Sequence, residues 1–240
     1  MIDLHHHCLP GVDDGPRTLE EAVAQCEAAF EDGIRTVVAT PHRLHPQFDC
    51  PPEAARRAHA DLAAALAARR IGIELLLGAE VHCSEGLAAG LGDGSLLPLA
   101  GSRRWFLLEL PHSHVPVNLD RVVFSLQIAG WYPLLAHPER NTELVERDGA
   151  LAALRRQGVR TQLTAMSVTG GFGRAAREAS ERWLREGLVD VLATDAHGTG
   201  RRPPRLSEAV ERAAAIVGRE AADRLVGENP RRILAGMDPA

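Results

Sequence analysis

The sequence predicts an α/β protein whose parallel, barrel-like sheet has about seven strands. Seven short apolar segments alternate with segments of helical spacing, which is the pattern of repeated strand and helix units. Parallel neighbouring strands need crossover connections, and helices usually supply them. The chain has 240 residues, of which 45% are hydrophobic, and this size suits one α/β barrel. We therefore expect a single domain over residues 1–240.

The elements follow one another in a regular order. A helix is predicted from a cap at Thr18, with Glu20 and Glu21 in its first turn, to about Asp32. Ala- and Arg-rich spacing predicts a second helix near residues 51–70, and the segment 206–234 is also helical. Leucine-rich turns are expected between the third and fourth strands. The predicted strands lie within residues 1–7, 35–40, 73–79, 105–108, 132–136, 160–163 and 188–194.

The amino-acid composition excludes some classes of function and indicates where the protein is located. The net charge of -5 and the pI near 6.1 give no basic footprint for nucleic acid. No stretch approaches the roughly 18 apolar residues of a membrane span, and the N-terminus lacks the pattern of a signal peptide. The four cysteines show no C-x-x-C pairing and are expected to be free thiols in a reducing compartment. We expect a cytoplasmic protein.

Several kinds of catalytic site can be excluded from the residues alone. Cys50 and Arg56 have the C-x5-R spacing of cysteine-dependent phosphatases, whose loop must turn backbone N–H groups toward phosphate. Pro51 and Pro52 remove two of those donors, so we reject this site. The chain also contains no lysine, which excludes a Walker-type loop, a Schiff base and a carboxylated lysine between metal ions.

The first strand ends in a His-x-His pair. His5 and His7 point to the same face of an extended segment and can bind one metal ion, whereas His6 faces the other way. The alternative is a remnant of an affinity tag or a group of surface histidines. Histidines and carboxylates at the ends of later strands favour the metal site, because the carboxyl ends of parallel strands share one face.

The candidate metal ligands are nitrogen and oxygen donors without sulfur, a set suited to Mn, Fe, Zn or Co. They are His5, His7, Asp14, His42, Glu80, Glu109, His137, Asp195 and His197. Nine ligands exceed what one catalytic ion needs, so we expect two or three divalent ions, with Glu80 as the best bridging carboxylate. Asp13 is an alternative to Asp14, and either residue could simply shape the turn before Gly15.

A site with several divalent ions suits hydrolysis of a phosphate ester. The ions lower the pKa of a bound water and bind phosphoryl oxygens. Arg140 and Arg202 follow the fifth and seventh strands, and each could bind phosphate in a bidentate manner or be an ordinary surface arginine. The other histidines are expected in loops, in helices or on the surface. His112 and His114, however, follow Glu109 closely enough to line the cleft.

The sequence resembles the polymerase-and-histidinol-phosphatase (PHP) superfamily. Within that superfamily it is similar to the bacterial manganese-dependent protein-tyrosine phosphatases of capsular and exopolysaccharide synthesis. The segments that carry the resemblance are residues 1–7, 9–16, 39–42, 77–80, 108–111, 115–116, 136–140, 193–197, 202–204 and 228–230. The chain departs from the family over residues 163–173, where an Asn-containing segment usually precedes a Gly-x-Phe-Gly motif. This departure puts substrate contacts from that loop in question and removes no metal ligand.

The resemblance implies a distorted seven-stranded (β/α) barrel, the PHP fold, with three metal ions, for which manganese is the expected metal. One ion would contact His5, His7, Glu80 and Asp195; a second would contact Glu80, Glu109 and His137; the third would contact Asp14, His42 and His197. Arg140 and Arg202 match the family's phosphate-contacting arginines, and a metal-activated hydroxide would attack phosphorus. The implied substrate is the phosphotyrosine-rich tail of a bacterial tyrosine kinase that controls polysaccharide export.

Three alternatives stay open at this point. The same fold and metals would also suit a histidinol-phosphate or other small phosphomonoester phosphatase. An amidohydrolase shares the His-x-His opening, but the lack of lysine and the presence of Glu80 and Glu109 argue against its carboxylated-lysine branch. The last alternative is a metal-binding scaffold that binds a partner without catalysis, which the intact set of ligands disfavours.

Overall fold

The computed structural model describes residues 1–240 and contains nine strands and eleven α-helices. The strands β1 to β9 are Ile2–His6, Thr36–Ala39, His42–Arg43, Glu74–Leu77, Glu80–His82, Trp105–Glu109, Tyr132–Ala136, Arg160–Thr164 and Val191–Ala193. The helices α1 to α11 are Leu19–Glu31, Pro52–Ala68, Leu87–Asp93, Leu119–Ile128, Thr142–Glu146, Ala150–Arg156, Ala165–Thr169, Arg174–Arg185, Ser207–Val217, Arg219–Val226 and Glu228–Leu234. Short 3₁₀ turns cover Leu99–Gly101 and Pro138–Arg140.

All strand pairs are parallel, which confirms the predicted α/β architecture with helical crossovers. The strands form a three-stranded sheet in the order β1-β2-β4 and a six-stranded sheet in the order β3-β5-β6-β7-β8-β9. A single bridge between His6 and Ala196 connects the first sheet to the end of the second. Parallel strands direct all their carboxyl ends to one side, so the residues that follow them can meet there.

The structure has nine strands because the second and third predicted strands are each followed, after an interruption of two residues, by a short additional strand. Strand β2 ends at Ala39 and β3 begins at His42, while β4 ends at Leu77 and β5 begins at Glu80. Backbone hydrogen bonds still cross the interruptions: the N–H of Gly78 donates to the carbonyl of Ala39 at 2.8 Å. A Cβ atom at Gly78 would come within 3.3 Å of the backbone of Leu99, so this close approach favours glycine. After each break the chain pairs within the other sheet.

Helix α1 begins where the sequence predicts. Thr18 accepts a hydrogen bond from the backbone N–H of Glu21 at 3.2 Å, and the Glu21 carboxylate accepts one from the N–H of Thr18. This capping box satisfies two backbone donors at the helix start. Helix α3 was not expected, because the sequence indicated only turns there. Gly90 and Gly92 lower the helix propensity of that segment, so its pattern does not reveal a helix.

Two apolar clusters flank the strands. A cluster of 10 buried residues consists mainly of strand side chains, including Leu4, Trp105 and Leu134, and a cluster of 44 residues includes the buried faces of the helices. In β7, Leu134 and Ala136 belong to the smaller cluster, whereas Leu135 belongs to the larger one. The strands are therefore buried on both faces, as is typical of parallel sheets with helical crossovers. None of the helices combines the length and hydrophobicity needed to cross a bilayer.

Candidate metal centre

The nine candidate ligands converge at the carboxyl ends of the strands. They form four overlapping groups, and within each group the donor atoms lie within 4.8 Å of one another. The groups are His7 with Asp14, His42 and His197; His5 with His7 and Glu80; His5 with His137 and Asp195; and His42 with Glu80 and Glu109. The structure therefore brings together all the side chains that the sequence selects.

The His-x-His pair forms the deepest part of the cluster. The Nε2 atoms of His5 and His7 are 3.1 Å apart, and each lies 3.3 Å from Oε2 of Glu80. Oδ1 of Asp195 is 3.3 Å from Nε2 of His5. His6 points elsewhere, as strand alternation predicts, and its Nδ1 lies 2.9 Å from the buried carboxylate of Asp3. Two imidazole nitrogens and two carboxylate oxygens thus face one point.

Hydrogen bonds fix the tautomers of three of these histidines. Nδ1 of His5 donates to Oε1 of Gln162 at 2.9 Å, and Nδ1 of His7 donates to Oδ2 of Asp13 at 2.8 Å. Nδ1 of His197 donates to the backbone carbonyl of Asp195 at 3.0 Å. Each ring consequently directs its Nε2 toward the cluster. This arrangement, with one ring nitrogen bound to an acceptor and the other free, is typical of metal-binding histidines.

The geometry separates the roles of Asp13 and Asp14. Oδ2 of Asp13 accepts from His7 and from the backbone N–H of His42, while its Oδ1 accepts from the N–H of Gly15. Asp14 instead faces the cluster, and its Oδ1 lies 3.1 Å from Nε2 of His197 and 3.5 Å from Nε2 of His42. These contacts favour Asp14 as the ligand and Asp13 as the residue that orients His7.

Glu80 occupies the middle of the cluster. Its Oε1 accepts a hydrogen bond from Nε2 of His137 at 2.8 Å, and its Oε2 lies 3.0 Å from Nδ1 of His42. Glu109 approaches from the next strand, where its Oε2 also contacts Nδ1 of His82 at 3.1 Å. With its two oxygens directed to different histidines, Glu80 has the geometry expected of a bridging carboxylate.

Two buried polar atoms favour a bound cation. Nδ1 of His42 and Oε2 of Glu80 are buried and form no well-aligned hydrogen bond, although they lie close together. Such atoms are expensive to bury without a partner. A divalent ion would bind both, and the nitrogen and oxygen donor set suits Mn, Fe, Zn or Co. The residues present therefore fit a metal centre.

The charges of the cluster hold its carboxylates ionised. Burial alone would raise the pKa of Glu80, but His5, His42 and His137 hold that pKa well below its usual value. The pKa of Asp195 is likewise lowered despite its burial, because His5, Arg202 and Arg140 surround it. Burial and the neighbouring His7 lower the pKa of His197 to about 4, so its imidazole is neutral at pH 7. Ionised carboxylates and neutral imidazoles are the forms that bind metal ions.

Both predicted arginines contact Asp195. Nη1 of Arg140 donates to Oδ2 of Asp195 at 2.7 Å, and Nη2 of Arg202 pairs with the same oxygen. Nη1 of Arg202 also donates to Nε2 of His197 at 3.1 Å. A cavity of about 640 Å³ opens beside these groups, with Asp14, His197 and Arg202 in its wall. An anion in this cavity would contact both the edge of the ligand cluster and the guanidinium group of Arg202.

Two of the candidate ligands have unusual backbone conformations. His137 and Asp195 adopt φ angles of 32° and 51°, in the left-handed region that non-glycine residues seldom occupy. Each follows a buried strand, and this turn directs its side chain into the cluster. Strained backbone of this kind concentrates at functional sites, where the surrounding structure holds it.

Several contacts of the site were not predicted from the sequence. Gln162 orients His5, although a glutamine within a strand gives no ligand signal. His82 binds Glu109, and the ring of His45 stacks on that of His42 at a centroid distance of 4.7 Å. His112 stacks on His137 at 5.7 Å, in agreement with its expected place beside the cleft. The hydrogen bond between His82 and Glu109 follows from the pairing of β5 with β6.

The fold and the cluster together define an α/β protein with a candidate metal centre. The chain belongs to the CpsB/CapC family of capsular polysaccharide synthesis, whose family model matches residues 1–235. This match confirms the resemblance seen in the sequence.

Related proteins agree with this assignment. The tyrosine-protein phosphatase YwqE of Bacillus subtilis is 34% identical over 210 residues, which cover 88% of this chain and 82% of YwqE. The chain also matches a crystal structure with a TM-score of 0.94. That structure belongs to a pair of metal-dependent tyrosine phosphatases, YwqE of Bacillus subtilis and CpsB of Streptococcus pneumoniae. The match is 32% identical and covers 100% of this chain and 99% of that one.

A more distant structure shares the fold alone. The phosphotriesterase homology protein of Escherichia coli matches with a TM-score of 0.61 at 12% identity, covering 96% of this chain and 97% of that protein. At this level of identity the likeness concerns the α/β fold and carries no information on the reaction.

Proposed function

We propose that this protein is a metal-dependent protein-tyrosine phosphatase. The observation that carries the proposal is the convergence of nine nitrogen and oxygen donors, one of which, Asp195, pairs with both arginines. Relatives that are tyrosine phosphatases match most of the chain, and their activity is consistent with this site. We further propose that residues 1–240 form one domain. In that domain β2 and β3 count as one strand, and β4 and β5 count as another, so that the sheets make a distorted seven-stranded (β/α) barrel.

The metal centre would hold up to three ions, and we propose manganese. The proposed ligands are His5, His7, Glu80 and Asp195 for one ion, Glu80, Glu109 and His137 for a second, and Asp14, His42 and His197 for a third. When bound, the ions would activate water for attack on phosphorus and offset the charge of the phosphoryl oxygens. The hydrogen bonds from His5 to Gln162 and from His7 to Asp13 direct the Nε2 atoms of both histidines toward this centre.

The arginines would bind the phosphoryl group itself. Arg140 and Arg202 lie beside the cluster, and their planar guanidinium groups can each donate two hydrogen bonds to phosphate oxygens. Asp195 orients both groups before substrate arrives. Their positive charge would stabilise the equatorial oxygens as negative charge develops on them in the transition state.

Cysteine chemistry is not part of the proposed mechanism. Cys50 is buried, and burial raises the pKa of its thiol to about 11. A thiol with this pKa is protonated at neutral pH and is a poor nucleophile. Its two following prolines also lack the N–H donors that a phosphate-binding cysteine loop needs.

For the substrate, we propose the phosphotyrosine-containing tail of a bacterial tyrosine kinase that controls capsule or exopolysaccharide synthesis. Membership in a family of capsular polysaccharide synthesis supports this partner. We also propose a cytoplasmic location, because the four cysteines are free thiols and a reducing compartment maintains them in that state.

The proposal is tested by phosphate release from two substrates side by side. Manganese-loaded protein is given a tyrosine-phosphorylated kinase-tail peptide and histidinol phosphate, each with a chelator-treated control. Chelator-sensitive turnover that strongly favours the peptide is the expected result. A preference for histidinol phosphate would keep the metal centre and replace the proposed substrate class. Turnover that survives complete chelation would contradict the metal-dependent mechanism.

A further inference from the structure

An aromatic ring connects the two arginines of the site. The centroid of the Phe172 ring lies 4.6 Å from Cζ of Arg140 and 5.6 Å from Cζ of Arg202. Both distances are within the roughly 6 Å over which a ring attracts a guanidinium group. Each arginine therefore has the same two partners, the Asp195 carboxylate and the Phe172 ring.

A short, hydrogen-bonded turn presents this ring. Phe172 lies in the segment 170–173 between α7 and α8. The N–H of Gly171 donates to the carbonyl of Met166 at 2.7 Å, and the N–H of Gly173 donates to the carbonyl of Gly170 at 3.0 Å. The backbone of the turn is thus held by its own hydrogen bonds, and the ring projects from a fixed base.

Core packing does not account for the ring. Phe172 is half-buried between two exposed glycines and belongs to neither apolar cluster. It lines the 640 Å³ cavity beside Arg202 and also a cavity of about 360 Å³ that includes His112 and Arg140. The ring therefore forms a wall shared by two cavities, and a smaller side chain there would leave the packed core unchanged.

We propose that Phe172 is a positioning residue that sets the affinity of the site for a phosphoryl group. Arg140 and Arg202 carry like charges and share one carboxylate oxygen, so each repels the other. The negative face of the ring offsets this repulsion and limits the orientations of both guanidinium groups. The phosphoryl group then meets two prearranged cations, and less ordering is needed on binding. This inference rests on the proposed function.

The test compares Phe172→Leu with Phe172→Tyr. Leucine keeps an apolar side chain but removes the π face, whereas tyrosine keeps the ring. Binding of orthophosphate to manganese-loaded protein is measured by calorimetry, together with competitive inhibition of peptide hydrolysis by orthophosphate. Phe172→Leu is expected to weaken orthophosphate binding by roughly ten-fold and to raise KM more than it lowers kcat. Phe172→Tyr is expected to stay within about three-fold of the original protein.

Phe124→Leu is the matched control, because Phe124 is an exposed phenylalanine on α4. It should leave orthophosphate binding unchanged, and thermal melting should be the same for all folded variants. If Phe172→Leu fails to fold, Phe172→Met replaces it as a variant without a ring. The proposal is overturned if the leucine or methionine variant binds orthophosphate as well as the tyrosine variant does, or if the original protein does not bind orthophosphate.

The two proposals fail in different ways. Calorimetric binding of orthophosphate needs no turnover, so the comparison of Phe172 variants stands even if phosphotyrosine is not hydrolysed. Absence of turnover with normal orthophosphate binding would contradict the proposed function alone. Normal turnover with identical orthophosphate affinity in all Phe172 variants would contradict the positioning role alone.

Discussion

The Nδ1 atom of His5 lies 2.9 Å from the side-chain oxygen of Gln162, and both residues are fully buried. This contact joins the first strand to β8 and directs Nε2 of His5 toward the ligand cluster. Hydrogen-bond partners of metal-binding histidines fix ring orientation and raise ligand basicity. Gln162 is therefore part of the proposed metal site, although it would not touch an ion.

Replacing Gln162 with leucine should weaken manganese binding by about 10- to 100-fold. The leucine cannot accept the Nδ1 proton, so the His5 ring loses its preferred tautomer and orientation. Competition with a metal-binding dye measures the change. Gln127→Leu serves as the control. Gln127 lies on α4, and its side chain donates a hydrogen bond to the backbone carbonyl of Gln157. Equal metal affinity in the two variants would show that the His5 contact has no part in the site.

Substitution of Asp195 by alanine should reduce turnover by at least about 100-fold while the fold is retained. Asp195 contacts His5 and pairs with both Arg140 and Arg202, so its loss disturbs metal ligands and phosphate ligands together. Circular dichroism verifies the fold, and peptide dephosphorylation measures the turnover. His42→Ala should behave similarly. Undiminished activity in either variant would remove that residue from the proposed site.

Replacement of Cys50 by serine should leave turnover within about two-fold of the original. The thiol has a pKa of about 11, above the ordinary value, because burial disfavours the thiolate. At pH 7 the thiol is protonated, and alkylation by iodoacetamide should be slow. The rate should rise about ten-fold for each pH unit up to pH 9, because the thiolate fraction grows in that proportion. Rapid alkylation at pH 7, or loss of activity in Cys50→Ser, would contradict this interpretation.

A partly buried ion pair away from the candidate metal centre should contribute strongly to stability. The Asp190 carboxylate pairs with Arg155 and accepts the backbone N–H of Thr161 at 2.8 Å. Asp190→Ala leaves Arg155 and that N–H without their partner, so the free energy of unfolding should fall by about 3 kcal/mol. The matched surface pair is Glu220 with Arg224, and Glu220→Ala should cost less than about 1 kcal/mol. Urea denaturation of both variants measures the difference, and equal losses would contradict it.

The succession of strands along the chain and the position of most candidate site residues could be predicted, because both depend on local sequence. A buried parallel strand is a short apolar run, and the residue after it lies on the shared face, so residues such as Glu80 and His137 are recognisable. The capping box of Thr18 and Glu21 is equally local. The family match over residues 1–235 confirms the resemblance that these motifs carry.

The remaining features depend on contacts between distant residues. Gln162 orients His5 only because the fold brings together residues 157 positions apart. The short strands β3 and β5, which follow the second and third predicted strands, depend on pairing within the six-stranded sheet, and no local pattern marks them as separate strands. Phe172 is one aromatic residue in a glycine-rich turn, and its relation to Arg140 and Arg202 emerges only in three dimensions. Asp13 and Asp14 are adjacent in the chain, so only geometry separates their roles.

The first and last strands contribute ligands to the same deep group, and this has a consequence for the order of events during protein synthesis. His5 lies only 3.3 Å from Asp195, although about 190 residues separate them along the chain. At translation speeds of about 5–20 residues per second, the ribosome would add Asp195 some 10–40 s after His5. Until then the early histidines have an incomplete set of partners, so the proposed site would be complete for metal loading only at the end of biosynthesis.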